Sequence, residues 1–177
     1  MIVNILVKVS ELVRNGQLVF SGGGWVVNDE GVALYSDIID QMTLGHRFLY
    51  EEFTECGIPK ISWQVDAFGH SKEMASLIGQ MGFDGHVINR AIDPKGEFVW
   101  TGSDDLTSKS EVFSSTLHHH YHAPDGFDFE NVNNKIDENN KNSKADQFVS
   151  VARKWNEDYN RTNHVCLLTK WWNCLYI

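Results

Sequence analysis

The stretch ISWQVDAFGHSKEMASLIGQMGFDGHVINR, residues 61–90, decides the fold, because two strand patterns flank a helix pattern. A short apolar run of β type opens it at residues 61–66, and a second one closes it at residues 86–90. Between them, Ser71 can cap a helix that continues to Gly82, a residue suited to a helix C-terminus. This order of elements predicts two parallel strands joined by a crossover helix.

The sequence before this stretch shows the same alternation. One helix is predicted to end near Asn15-Gly16, and a strand at residues 18–20 is followed by a glycine-rich turn. Asn28-Asp29 can cap a further helix, whose apolar spacing continues to about Glu55. We therefore expect an α/β fold, with parallel strands at residues 18–20, 61–66 and 86–90.

The chain after residue 90 has a different pattern of short strands and turns. Residues 131–144 are polar and rich in Asn and Lys, so we expect a solvent-exposed connection there. Residues 144–159 have the spacing of an amphipathic helix, and residues 164–169 form a candidate last strand.

Asp66 and Arg90 each stand at the carboxyl end of a predicted strand. Ligands of α/β proteins bind at this edge of the sheet, where an aspartate can serve as nucleophile or metal ligand. Arg90 can hold that carboxylate ionised by a charge-assisted hydrogen bond. The alternatives are that Asp66 only caps a helix or turn and that Arg90 forms an ordinary surface ion pair.

A second candidate cluster contains five consecutive ring side chains, four of them histidines, at residues 118–122. Neighbouring strand residues point to opposite faces, so only His118, His120 and His122 can share a face and a metal. The alternative is a solvated or partly packed loop. His70 has no second His four residues further on and no adjacent Cys, so it shows no isolated zinc motif.

The composition sets limits on the partners of this 177-residue chain, which is long enough for one domain with a sizeable core. Its net charge of −9 argues against binding to nucleic acid or to an anionic membrane surface. No apolar run reaches the length of a membrane span, and the N-terminus lacks the basic region of a signal peptide. The three cysteines form no metal or disulfide pattern, so we expect buried free thiols at Cys56, Cys166 and Cys174.

Four stretches together resemble glycoside hydrolase family 38, and the resemblance runs from about residue 8 to residue 168. They are GGWVVNDEG at residues 23–31, DQMTLGHRFL at 40–49, WQVDAFGHSKEMASLIGQMGFDG at 63–85 and NRTNHV at 160–165. The resemblance implies part of a seven-stranded β/α barrel-like catalytic domain. It also implies a zinc-dependent, retaining exo-mannosidase of the lysosome or secretory pathway, acting on mannose-containing oligosaccharides.

The same resemblance implies roles for individual residues. Asp66, the aspartate of the family's DxFGHS motif, would be both the nucleophile and a zinc ligand. Phe68 would lie against the sugar, and Arg90 would support the nucleophile. Tyr121 is a candidate substrate contact.

The sequence also departs from the family pattern at both ends. The HxD zinc pair, the GxDF motif that carries the general acid and a later zinc-binding histidine have no match. We therefore expect a partial catalytic domain that does not hydrolyse mannosides on its own. The alternative is a non-catalytic carbohydrate-binding or interaction protein.

Overall fold

The computed structural model describes residues 2–90, 96–128, 131–159, 166–169 and 173–176. Two compact units divide the chain: the first comprises Met1–Ala91 and Phe98–Ser114, and the second comprises Ile92–Glu97 and Ser115–Ile177. The helices are α1 (Ile2–Arg14), α2 (Tyr35–Phe53), α3 (Lys72–Gln80) and α4 (Lys141–Tyr159), with short 3-10 helices at Thr54–Gly57, Thr107–Ser110 and Val132–Asn134. The strands are β1 (Ile61–Gln64), β2 (Gly85–Ile88), β3 (Glu97–Thr101), β4 (Glu111–Thr116), β5 (His118–Tyr121), β6 (Cys166–Thr169) and β7 (Asn173–Tyr176).

A four-stranded sheet with the order β1-β2-β4-β3 forms the centre of the first unit. β1 and β2 are parallel, in a register that pairs Ile61 with Gly85 and Gln64 with Ile88. The backbone N–H of Gly102, after β3, donates to the carbonyl of Ser110, before β4, at 3.0 Å, as expected for antiparallel neighbours. The mixed α/β class is therefore confirmed, whereas the seven-stranded barrel remains a prediction.

Helix α3 forms as its sequence predicts, because both of its ends carry specific signals. The Ser71 side-chain oxygen accepts a hydrogen bond from the backbone N–H of Glu73 at 3.2 Å. After the helix, Gly82 has a φ of +81°, and the Phe83 N–H donates back to the carbonyl of Ile78. The inner face of α3 packs against α2 and β4 in the core of the first unit, whose buried members are Ile38, Met42, Met74, Ala75, Leu77, Ile78, Phe83 and Val112.

Replacing Ser71 with Ala is expected to lower the free energy of unfolding by about 1 kcal/mol, because one N–H at the start of α3 loses its acceptor. Urea unfolding followed by circular dichroism measures the change. Ser150→Ala on the exposed surface of α4 is the matched control and should cause no loss. Equal stability of both variants would show that the cap of α3 is unimportant.

The strand predicted at residues 18–20 is wrong. After α1, Gly16 takes a φ of +68°, and the N–H groups of Gln17 and Leu18 both donate to the carbonyl of Leu12, at 2.9 and 3.1 Å. These bonds fold the chain back onto the end of α1. The segment then meets β1 through a backbone bond from Gly22 to Ile61 at 2.8 Å, and residues 18–20 join no strand ladder.

The helix cap predicted at Asn28-Asp29 is also wrong. Helix α2 begins at Tyr35, after Leu34, and no side chain caps its first turn. Asn28 is instead buried, where its side-chain oxygen accepts a hydrogen bond from the amide of Gln41 at 3.1 Å. Asp29 closes a tight turn by accepting from the N–H of Gly31 at 2.8 Å. The other end of α2, at Phe53, agrees with the predicted end near Glu55.

The second unit contains β5, α4 and the antiparallel pair of β6 and β7. Ala152 and Trp155 of α4 form a small buried cluster with Phe148 and Val151. The polar residues 131–144 are exposed or half-buried, as predicted, and their last four residues form the start of α4. Residues 164 and 165 of the predicted last strand lie outside the described residues, but Cys166–Thr169 is a strand.

Two further sequence expectations concern cysteines and membranes. Cys56 is a free thiol but is exposed, so the prediction that it is buried is wrong. Among the helices that the structure describes, none combines the length and the apolar character needed to cross a membrane.

Candidate functional site

The candidate site lies at the carboxyl ends of β1 and β2. Asp66 follows the last residue of β1 by two positions, and Arg90 follows the last residue of β2 by two positions. Because the register pairs Gln64 with Ile88, the two side chains reach the same edge of the sheet. The Arg90 Nε–H donates to Asp66 Oδ1 at 2.7 Å, and Arg90 Nη2 contacts the same oxygen. The predicted pairing of these residues is confirmed.

This ion pair faces solvent. The Asp66 side chain is 59% exposed and the Arg90 side chain is 35% exposed. Helix α3 takes its cap from Ser71, so Asp66 is not the helix cap that its position also allowed. A carboxylate held by a guanidinium yet open to solvent can attack, or bind, a molecule that reaches this edge.

Phe68 projects from the turn that follows Asp66. Phe68 is 83% exposed, which is unusual for an aromatic residue. The Arg90 guanidinium carbon lies 4.9 Å from the centroid of the Phe68 ring. Arg90 therefore contacts the carboxylate and the ring at once. The three side chains form an exposed surface with one anionic, one cationic and one apolar component.

The turn that carries Asp66 and Phe68 is fixed at both ends by buried groups. At its start, the buried side-chain amide of Asn89 donates to the carbonyl of Val65 at 3.1 Å. At its end, Glu30 accepts from His70 Nδ1 at 2.9 Å and from the backbone N–H of Ser71 at 2.5 Å. Sequence reasoning missed both Asn89 and Glu30, although Glu30 lies within the GGWVVNDEG stretch.

His86 is the second residue of β2, where the register pairs it with Ser62 of β1. It is 2% exposed, and its Nδ1 lies 3.2 Å from the hydroxyl oxygen of Ser62 on β1. Burial, followed by repulsion from His70, lowers the pKa of His86 to about 4. The imidazole of His86 is therefore neutral in the folded protein at neutral pH. Sequence reasoning did not single out this residue, because a histidine within a strand gives no signal of its burial.

A cavity of about 460 Å³ lies on another part of the first unit. Its walls are the glycine-rich segment 20–28, the middle of α2 and residues 62–64 of β1, with Met74. Asp66, Phe68 and Arg90 do not line it.

The second unit contains Tyr121 and the histidines of β5. Tyr121 is 38% exposed, and its ring centroid lies 4.0 Å from that of His120. The role of Tyr121 as a substrate contact remains a prediction.

The hypothesis of a shared metal concerns His118, His120 and His122, whose side chains make separate contacts. His118 contacts Asp158 at 2.7 Å and stacks on Trp155, whereas His120 stacks on His122. The positive φ of His120, +54°, interrupts the regular alternation of the strand. The hypothesis of one shared metal face is therefore not supported by the contacts of these side chains.

Zinc can use the Asp66 carboxylate, since aspartate oxygen is one of its ordinary ligands. A catalytic zinc needs about three protein ligands. Across the residues that the structure describes, however, no three His, Cys, Asp or Glu side chains lie close enough together to hold a metal ion. The described residues therefore provide one candidate ligand and do not form a complete zinc site.

Comparison with known proteins supports the resemblance in sequence. The lysosomal alpha-mannosidase of Dictyostelium discoideum is 42% identical over 174 residues, which cover 90% of this chain and 17% of that protein. The lysosomal alpha-mannosidase of Bos taurus is 48% identical over 128 residues, which cover 67% of this chain and 13% of that protein. This chain thus spans less than a fifth of the length of either relative.

The fold of this chain is also similar to that of a solved alpha-mannosidase structure. The crystal structure of an alpha-mannosidase from Enterococcus faecalis V583 matches with a TM-score of 0.52 and 20% sequence identity, over 64% of this chain and 13% of that one. Residues 4–169 match the family described as the glycosyl hydrolases family 38 N-terminal domain, slightly more than the 8–168 expected from the motifs. Because that match covers almost the entire sequence, this chain belongs to the N-terminal domain family of the family 38 glycosyl hydrolases.

Proposed function

We propose that this chain carries the nucleophile of an α-mannosidase that removes terminal α-mannose from N-glycans or related oligosaccharides with retention of configuration. The observation that carries the proposal is the Asp66 carboxylate. It is exposed at the carboxyl edge of the sheet and held by Arg90 beside an exposed aromatic ring. Membership of family 38 and relatives named alpha-mannosidase support the substrate class.

In this proposal, Asp66 attacks the anomeric carbon of mannose, and the bond from that carbon to the leaving oxygen breaks. The leaving oxygen takes a proton from an acid, and water then releases the sugar from Asp66, so that two inversions give retention. Two hydrogen-bond donors of Arg90 fix one Asp66 oxygen, which orients the carboxylate for attack. The described residues suggest no particular acid, and the proposal assigns none.

Phe68 and Tyr121 are the proposed contacts of the sugar. A pyranose ring presents C–H groups on its faces, and an exposed aromatic ring can cover them while leaving the hydroxyls to polar groups. Phe68 is suited to this role because its ring lies beside Arg90, close to the nucleophile. Tyr121 is proposed from the family resemblance alone.

Zinc enters the proposal only through Asp66, as one of its ligands. When bound, such an ion would position sugar hydroxyls and stabilise charge on the substrate. The residues described here do not complete its coordination, so no step of the mechanism is assigned to it. A lysosomal or secretory location is proposed because the relatives carry lysosomal in their names.

A chimera tests this function directly. Residues 4–169 of this chain replace the matching segment of a related family 38 α-mannosidase, and the product is assayed with an aryl α-mannoside and an aryl β-mannoside. We expect hydrolysis of the α-mannoside alone, with the α-anomer as the first product in proton NMR spectra. A folded chimera without turnover, or with the β-anomer as first product, would contradict the proposal. Mannoside binding without turnover would favour the non-catalytic alternative.

A further inference from the structure

We propose that Glu30 is a positioning residue for the nucleophile, acting on the Asp66 turn through His70 and Ser71. The role of Asp66 as nucleophile comes from the proposed function, and this inference rests on it. The structural part of the inference, that Glu30 determines the placement of the Asp66–Arg90 pair, stands on its own contacts.

Glu30 and His70 form a buried pair. Their side chains are each only 3% exposed, although the two residues are 40 positions apart in sequence. A buried carboxylate is costly unless its oxygens are paired, and both Glu30 oxygens have partners: Oε1 contacts His70 Nδ1, and Oε2 accepts from Ser71 N–H. Removing the carboxylate therefore affects the ring and the backbone at the same time.

The contact between Glu30 and Ser71 lies at the start of α3. Ser71 immediately precedes this helix, where backbone N–H groups point out of the helix and favour a negative charge. The Glu30 carboxylate thus fixes the point at which the Asp66 turn enters the helix. His70 Nε2 is buried and has no hydrogen-bond partner among the described residues, so the bond to Glu30 is the polar anchor of that ring.

The Asp66 turn needs an anchor at the end that leads into α3. Asn89 holds its start through Val65, but Gly69 lies between Phe68 and His70 with a φ of +135°. A glycine in that conformation leaves the backbone free to rearrange once its neighbours are released. Without Glu30, we expect Asp66 and Phe68 to lose their fixed position relative to Arg90.

The test uses the 177-residue chain labelled with ¹⁵N and ¹³C, and it needs no substrate. In Glu30→Leu, both acceptor oxygens are lost, so neither the His70 contact nor the Ser71 contact can be kept. Three NMR signals are compared with those of the unchanged chain: hydrogen exchange of the Ser71 amide, the Arg90 Nε–Hε cross-peak and the Asp66 carboxyl carbon. Glu51→Leu is the matched control, because it removes an exposed carboxylate that pairs with Arg47 within α2.

We expect Glu30→Leu to abolish protection of the Ser71 amide. The Arg90 cross-peak should move to the position of a solvent-exposed arginine, and the Asp66 carboxyl signal should shift with it. Glu51→Leu should leave all three signals unchanged. Loss of Ser71 protection with the Arg90 and Asp66 signals unmoved would overturn the proposal, because Glu30 would then only stabilise the start of α3.

A double variant, Glu30→Leu with His70→Phe, keeps the test possible if the single variant does not fold, since no ring nitrogen is then left buried without its partner. The same movement of the Arg90 and Asp66 signals is expected there. If neither variant folds, the pair is a requirement of the fold and the positioning role is wrong. Because no mannoside is present, an inactive chimera would leave these outcomes unaffected, so the two proposals can fail separately.

Discussion

Asp66→Asn in the chimera is expected to lower kcat for an aryl α-mannoside by about 10⁴-fold or more, comparable to the loss of other catalytic nucleophiles. Asparagine keeps the shape of the side chain and an oxygen for Arg90, so the fold of the turn should be preserved. The amide cannot form the glycosyl ester that retention requires. Initial rates at saturating substrate measure the change.

Asp84→Asn is the matched control for this substitution. Asp84 is an exposed aspartate in the turn that leads into β2, in the same unit as Asp66. Its replacement should leave kcat within the error of the assay. Equal, small effects of the two substitutions would show that Asp66 is not the nucleophile.

The second prediction is that the folded protein loses stability as the pH falls, because His86 is buried. Burial lowers the pKa of His86 to about 4, whereas its value in the unfolded chain is about 6.5. The unfolded chain therefore takes up a proton at His86 as the pH falls through 6.5, while the folded protein does not until about pH 4. At about 1.4 kcal/mol for each pKa unit, this gap corresponds to about 3 kcal/mol of stability lost between pH 7 and pH 4.

Urea unfolding at a series of pH values between 7 and 4 measures this loss. His86→Gln should remove most of this part of the pH dependence, because glutamine does not titrate but can still bond to Ser62. His122→Gln is the control, since His122 is exposed, and it should leave the slope unchanged. A pH dependence that His86→Gln leaves intact would show that other groups cause the acid sensitivity.

The central part of the fold follows from the sequence because its signals are local. Residues 61–90 contain two apolar runs, the Ser71 cap and Gly82. Each of these features determines the structure of only the few residues around it. Parallel pairing then places Asp66 and Arg90, two residues beyond equivalent strand ends, at one edge. The pairing of Asp66 with Arg90 therefore follows from the sequence.

The errors at residues 18–20 and Asn28-Asp29 have the opposite cause. A strand exists only if a partner supplies a hydrogen-bond ladder, and residues 17 and 18 bond to Leu12 instead. Asn28 has a good capping side chain, but the side-chain amide of Gln41, from α2, binds it. A turn at the end of α1 thus overrides the first local preference, and a contact with the next helix overrides the second.

Glu30 and His86 show a further limit of sequence reasoning. The pattern around Glu30 gives no sign that its carboxylate is buried, because its partners His70 and Ser71 lie 40 and 41 residues further on. The burial of His86 depends on the sheet and on Trp100, whose ring centroid lies 6.3 Å from that of the imidazole. Such residues become visible only when the fold brings distant segments together.

Covalent trapping tests the assignment of Asp66 as nucleophile most directly. The chimera is incubated with a fluorinated mannosyl fluoride, which forms a glycosyl–enzyme quickly. Because this glycosyl–enzyme hydrolyses slowly, the protein can then be digested and analysed by mass spectrometry. We expect one added fluoromannosyl group, on Asp66, in the peptide that contains WQVDAFGHS. A label on a different carboxylate, or an unlabelled Asp66 in a chimera that turns over α-mannosides, would contradict this assignment.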